Sequence, residues 1–209
     1  NKVNTHAFSM DPRIKKVQVS MSDRIGRILV ACSDGTIVED VQPMTTIYAN
    51  CVAESQGRRE ENYHSYGKRK GFEFYSEDLM ISLAEQAVDK TLILFEATPP
   101  PAGEMPVVLA PGTSGILLHE AVGHGMEADF NRKGISVYSE KLGKKVAPDF
   151  VTIIDDGTNP FERGSINVDD EGILSSRTVL VEKGILSSYM HDRISAEHYG
   201  VAPTGNGRR

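Results

Sequence analysis

The chain has 209 residues, 39% hydrophobic and 25% charged, which suits one sizeable domain or two small ones with a packed core. Its 23 Lys plus Arg against 29 Asp plus Glu give a net charge of −6, and no basic block interrupts it, so direct nucleic-acid binding is not expected. No stretch approaches the roughly 20 apolar residues that span a bilayer, and the first residues lack the apolar core of a secretory signal; the chain reads as soluble, without a membrane partner.

Cys32 and Cys51 are the only cysteines, and a chain of this size does not need disulfide staples. They read as reduced thiols of a cytoplasmic protein, with a bridge between them left open. The chain begins without Met and stops at "PTGNGRR", read as a flexible Gly-rich segment, so a fragment of a longer protein is expected.

From "IKKVQVSMSD" through "GRILVACSDGTIVED", "TTIYANCVAES" and "ENYHSYGKRKGFEFY", β-branched and aromatic runs alternate with Asp, Gly and Pro turns, predicting an antiparallel meander. Asp34-Gly35 is the best hairpin signal and predicts a primed turn. In "SEDLMISLAEQAVDKTLILFEA" the period changes: Leu79, Leu83, Ala87 and Val88 recur at helical spacing after Ser76, predicting one amphipathic helix. The prolines of "TPPPAGE" end it. We therefore divide the chain into 1–98, a meander plus helix, and 99–209, a second domain.

Beyond that boundary "MPVVLAPG" reads as a short buried strand. Thr113 and Ser114 then cap an apolar-periodic run, "TSGILLHEAVGHGMEADF", which places its two histidines on a helix. "DFVTIIDDG" and "RTVLVEKGILSSYM", with a Lys183-Gly184 turn, supply further strands, and "DRISAEHYG" a last helix. The expected fold class is α+β.

His119, Glu120 and His124 form H-E-x-x-x-H. On a regular α-helix, positions four apart differ by about 40° around the axis and positions five apart by about 140°. Two imidazoles five apart therefore cannot meet one ion on a regular helix. A π-bulge restores a shared face, and Gly123 and Gly125, flanking His124, allow either a bulge or a helix end there. If the histidines converge, they suit Zn2+, which lowers the pKa of a bound water toward ~7. Glu120 then takes the water's proton and delivers it to a leaving nitrogen.

Two ligands do not hold a catalytic zinc. Glu127, Asp129, His191, His198, Cys32 and Cys51 are candidates for a third, none at a diagnostic spacing. A hydrogen-bonded structural cluster of His and Glu is the competing reading. "PGTSG" lacks the Lys and spacing of a P-loop, and as G-T-S-G it is no nucleophile elbow for Ser114. "DDGTNP" and "NVDDEG" lack the ordered ladder of an EF-hand and read as solvated turns.

"HEAVGHGMEADFNRKG", then "VTIIDDGT", "RGSINVDDEG", "YMHDRISA" and "PTGNGRR", resembles the TldD/PmbA family of zinc peptidases, in particular its motif-bearing TldD-like subunit, in order from about residue 99 onward. The resemblance implies a cytoplasmic metallopeptidase subunit that acts on peptides or unfolded polypeptides beside a TldE/PmbA-type subunit. It implies His119 and His124 as Zn2+ ligands and Glu120 as the catalytic carboxylate. It also implies a third ligand, a late cysteine beyond this chain, so that the active site is incomplete here; an oligomer is expected of the intact protein. The alternative is a non-catalytic binding or assembly module, in keeping with the family's older label of DNA gyrase modulator.

Overall fold

In the structure, a computed structural model that describes residues 2–207, Ser76 opens the helix that the 3.6-residue period predicts. Its hydroxyl accepts from the Leu79 N–H at 3.2 Å, and helix α2 (Glu77–Leu92) follows with Glu77 and Asp78 in its first turn, where the helix dipole favours them. Leu83, Ala84, Ala87 and Val88 are fully buried on one stripe. They pack with Ile47, Ala49, Cys51 and Ala53 of the meander and with Val3 and Ala7 of a helix the sequence reading missed, α1 (Lys2–Met10). The 3, 7, 10 spacing of Val3, Ala7 and Met10 was the available signal. Each large side chain buried here contributes about 1.5–3 kcal/mol.

The meander is a sheet of three strands, β1 (Ile14–Ala31), β2 (Ile37–Ser55) and β3 (Arg58–Lys68), in that order. β2 and β3 pair antiparallel from Thr45↔Lys68 to Ser55↔Arg58. Its strands are longer than the sequence suggested. The breaks expected between the runs, at 24–25 and at 41–44 around Pro43, lie inside β1 and β2. Pro43 is tolerated because it precedes the first β2–β3 pair, where β2 has a neighbour on one side only.

The Asp34-Gly35 turn is corrected as well. Only Gly35 has positive φ, at +90°, while Gly35 N–H donates to Cys32 O and Cys32 N–H to Thr36 O. That is a three-residue loop closed by a left-handed glycine, not a two-residue primed turn. Gln56 and Gly57, at φ +49° and +79°, make the primed turn instead, between β2 and β3.

Two compact units divide the chain. The first takes residues up to Arg27, Val41–Glu104 and Phe161–Arg163; the second takes Ile28–Asp40, Met105–Pro160 and the residues from Gly164 on. Residues 28–40 form the β1–β2 hairpin tip. Asn167 donates to Asp40, Cys32 Sγ lies 3.7 Å from Glu171 O, and Arg193 Nη1 reaches Asp34 Oδ2 at 3.0 Å. Hydrogen bonds from Thr36, and then from Arg193, hold the Asp34 carboxyl down at about 2.

The second unit is built on an antiparallel sheet of β4 (Ile153–Asp156), β5 (Arg177–Glu182) and β6 (Ile185–Leu186). The predicted Lys183-Gly184 turn joins β5 to β6 with both residues at positive φ. Helix α5 (Arg193–Tyr199) starts at the Asp192 cap and stops at left-handed Gly200. Met126, Ala128, Leu180, Val181, Leu186 and Tyr189 form the core. The fold class is α+β throughout.

Three expectations in this unit fail for physical reasons. "MPVVLAPG" forms no strand, and Val107, Val108 and Leu109 are 71%, 95% and 60% exposed: an apolar run becomes a strand only by pairing with an edge, and no described strand pairs with this one. The acidic turn at 169–171 is not solvated. Asp169 accepts from the N–H groups of Glu171, Ile173 and Gly207, and it and Glu171 are buried. "PTGNG" is pinned rather than flexible, with Thr204 N–H donating to His191 O and Asn206 to Asp155; the final two arginines lie outside the described residues.

Candidate metal centre

Helix α3 (Ser114–Leu118) leads into the motif. At His119–Gly123 the backbone winds one π turn, the His124 N–H donating to His119 O five residues back. A short 3-10 turn, His124–Met126, and helix α4 (Ala128–Arg132) complete the run. Of the two outcomes the glycines left open, a bulge and a helix end, the structure has both in succession: a π turn in which Gly123 keeps ordinary helical angles of φ −57° and ψ −53°, then a helix end at extended Glu127. The extra residue turns the rings together. The His119 and His124 centroids lie 4.5 Å apart at 68°.

His119, Glu120 and His124 each offer one ligand atom, and these atoms all lie within 4.8 Å of one another. Among the described residues this is the one such group. Glu120 Oε2 is 3.7 Å from His124 Nε2, and the side chains of His124 and Glu120 are 49% and 65% exposed, so the group is open to substrate and solvent. Two imidazoles and a carboxylate are donors that fit a divalent zinc-like ion.

The segment after His124 fixes the motif in place. Met126 is buried, Met190 N–H donates to Met126 O, and Ala128 N–H to Met190 O, which ties the end of the π turn to the core. Gly125 O accepts from Asn131 Nδ2 at 2.9 Å and from Ser136 Oγ at 2.5 Å. A Cβ on Gly125 would stand 2.9 Å from the Tyr138 ring, so only glycine lets that ring approach.

Of the candidate third ligands, Glu127 touches the site, though as a support: its Oε1 is 2.6 Å from His124 Nδ1. An imidazole that donates Nδ1–H to a carboxylate leaves Nε2 free to ligate. The i, i+3 spacing of His124 and Glu127 on one helical face was the signal for this pair. Asp129 pairs instead with Lys133. Cys51 is buried in the first unit's core, where burial raises its thiol to about 11. His191 is buried against Tyr189 and Tyr199, and neither it, His198 nor Cys32 joins the group.

Similarity to known proteins decides the family. Residues 102–209 match the PmbA/TldA metallopeptidase C-terminal domain, and residues 1–95 match the PmbA/TldA metallopeptidase central domain. The chain belongs to the PmbA/TldA metallopeptidase family. This family member is 41% identical over 99% of its length to a "Metalloprotease TldD homolog" of Haemophilus influenzae, and 40% identical over its whole length to one of Buchnera aphidicola; in each case it spans 44% of the relative. A "Zinc metalloprotease TldD homolog" of Saccharolobus solfataricus is 30% identical over all of the chain and 46% of the relative. The chain thus spans less than half the length of these relatives.

Solved structures share the fold. A candidate DNA gyrase modulator from Thermotoga maritima superposes with a TM-score of 0.83 at 24% identity, over 99% of this chain and 47% of that one. TldE from Thermococcus kodakarensis gives 0.77 at 22% identity, over all of this chain and 46% of that one. No helix among the described residues is long and apolar enough to cross a membrane.

Proposed function

We propose that the chain is part of a zinc-dependent peptidase subunit in which His119 and His124 hold the metal and Glu120 is the catalytic acid and base. The π turn carries this reading, because it alone brings two histidines five residues apart to 4.5 Å between ring centroids. When bound, zinc supplies a water of pKa near ~7 and polarises a carbonyl. With that chemistry in place, the Glu120 carboxylate, its Oε2 3.7 Å from His124 Nε2, would accept a proton from the nucleophile and pass it to the departing amine. Glu127 holds the His124 ring so that Nε2 faces the shared centre.

With Glu120 kept for proton transfer, the described group leaves two imidazoles as ligands, one short of the three protein ligands of a catalytic zinc. In keeping with the family resemblance we assign the third ligand to a late cysteine of the longer polypeptide, and we expect this chain alone to be inactive. A TldE-type subunit is the partner, peptides or unfolded polypeptides the substrates, and the cytoplasm the site of action. A purely structural histidine cluster fits less well, since such clusters are buried and hydrogen-bonded, whereas all three groups here are exposed.

The test is Glu120→Gln in the full-length protein with its partner subunit. Cleavage of an unfolded peptide should fall by at least ~100-fold, the scale of a lost general acid-base, while circular dichroism stays unchanged. Undiminished turnover would remove Glu120 from the mechanism.

A further inference from the structure

The second unit carries a cavity of about 690 Å³ lined by Tyr138, Lys141, Lys144, Lys145, Val146, Ala147 and Pro148. Its position is tied to the metal centre through Tyr138, whose ring lies against Gly125, the residue after His124. Tyr138, Val146 and Ala147 also pack on the core that holds Met126, so the cavity has an apolar, anchored floor.

Three of its lining residues are lysines, in a chain whose net charge is −6. Lys145 is paired with Asp149 at 2.6 Å. Among the described residues, Lys141 and Lys144 are in no ion pair. The backbone that presents them is pinned. Lys141 N–H donates to Tyr138 O, Lys144 N–H to Lys141 O, Gly143 N–H to Leu186 O and Leu186 N–H to Lys144 O. Val146 N–H and Ala147 N–H both donate to Gly184 O. Two exposed lysines in no ion pair, lining an open cleft together with Val146, Ala147 and Pro148, are suited to an anion carried on an aliphatic stem, and the volume leaves room for several atoms of a peptide around it.

We propose that this cavity is a carboxylate-binding subsite that selects peptides by an acidic group, with Lys141 and Lys144 as its specificity-determining residues. The inference rests on the peptidase reading, because a peptide is the ligand expected beside the metal centre. The carboxylate can belong to a Glu or Asp side chain or to the peptide's C-terminus.

Binding of fluorescein-labelled Ala/Ser decapeptides to the full-length Glu120→Gln protein separates these sources without turnover. Four peptides suffice: a terminal Glu or Gln, each as free acid and as amide. Peptides with the selected carboxylate should bind roughly ten-fold tighter than those without it, the scale of one charge-assisted contact. The preference should vanish in the Lys141→Gln/Lys144→Gln variant, return in Lys141→Arg/Lys144→Arg, and weaken with salt. A Glu-amide preference assigns the side chain, and a Gln-acid preference assigns the C-terminus. Equal binding of all four peptides, or a preference that survives the double Gln variant, overturns the subsite and leaves the peptidase reading standing. Carboxylate-dependent binding in a protein whose wild type cleaves nothing would keep the subsite and sink the peptidase reading.

Discussion

At the scale of single residues, two side chains stand out for what they hold in place. Glu127 bonds His124 Nδ1 at 2.6 Å and thereby sets which nitrogen is free. Partners of metal-ligating histidines typically matter by about 10–100-fold in metal affinity. Glu127→Ala should therefore weaken zinc binding by roughly that factor in a competition titration of the full-length protein, with Glu127→Gln between the two. His191 behaves in the opposite way. It is 3% exposed, its Nδ1 has no partner, and burial lowers its pKa below the ordinary 6.5, with Asp192 opposing. A histidine whose folded pKa lies below its unfolded value costs nothing at high pH, where both states are neutral. Its penalty begins as pH falls through 6.5 and grows until the depressed value is reached. Urea melts at pH 7.5 and 5.0 should show wild type losing more stability than His191→Phe.

Among the elements, the π turn decides whether there is a site at all. The two glycines that flank His124 are not equivalent. A Cβ on Gly123 would find its nearest neighbour, His119 Nδ1, at 3.8 Å, and the residue already has helical angles. Gly123→Ala should be neutral or stabilising by up to about 1 kcal/mol. Gly125→Ala drives a methyl to 2.9 Å from the Tyr138 ring. It should cost about 1–3 kcal/mol, read as a lower melting temperature. The motif alone does not reveal this contrast, since it shows two identical residues. The spacing of His119 and His124 did pose the right geometric question, but that the π turn is followed at once by a helix end depends on the Met126–Met190 ties, which join residues far apart in sequence. Helix α2 was legible because its cap, acidic first turn and apolar stripe agree. Helix α1 was not, since nine residues offer little periodicity. "MPVVLAPG" misled because composition records a preference for burial, and only an edge can turn it into a strand.

For the molecule as a whole, the proposed metal ligands and the cores are separate. Neither the cluster around Leu83 and Val88 nor the one around Leu180 and Leu186 includes His119, Glu120 or His124. Folding is therefore expected not to require the ion, unlike in small domains that fold only when zinc is bound, and binding adds only its linkage stabilisation. Stripping the protein with a chelator should leave its circular dichroism unchanged and its melting temperature within a few degrees, while abolishing cleavage. A collapse of structure on chelation would place the ion in a structural role.

The hairpin tip at residues 28–40 has a practical consequence. A protease acting at the exposed prolines 99–101 would leave that tip on the amino-terminal piece and most of the body it completes on the other. Contacts such as Arg193 with Asp34 would then bridge a severed backbone. The nicked product should elute as one species from a sizing column, and neither half, made alone, should behave as a tidy soluble domain.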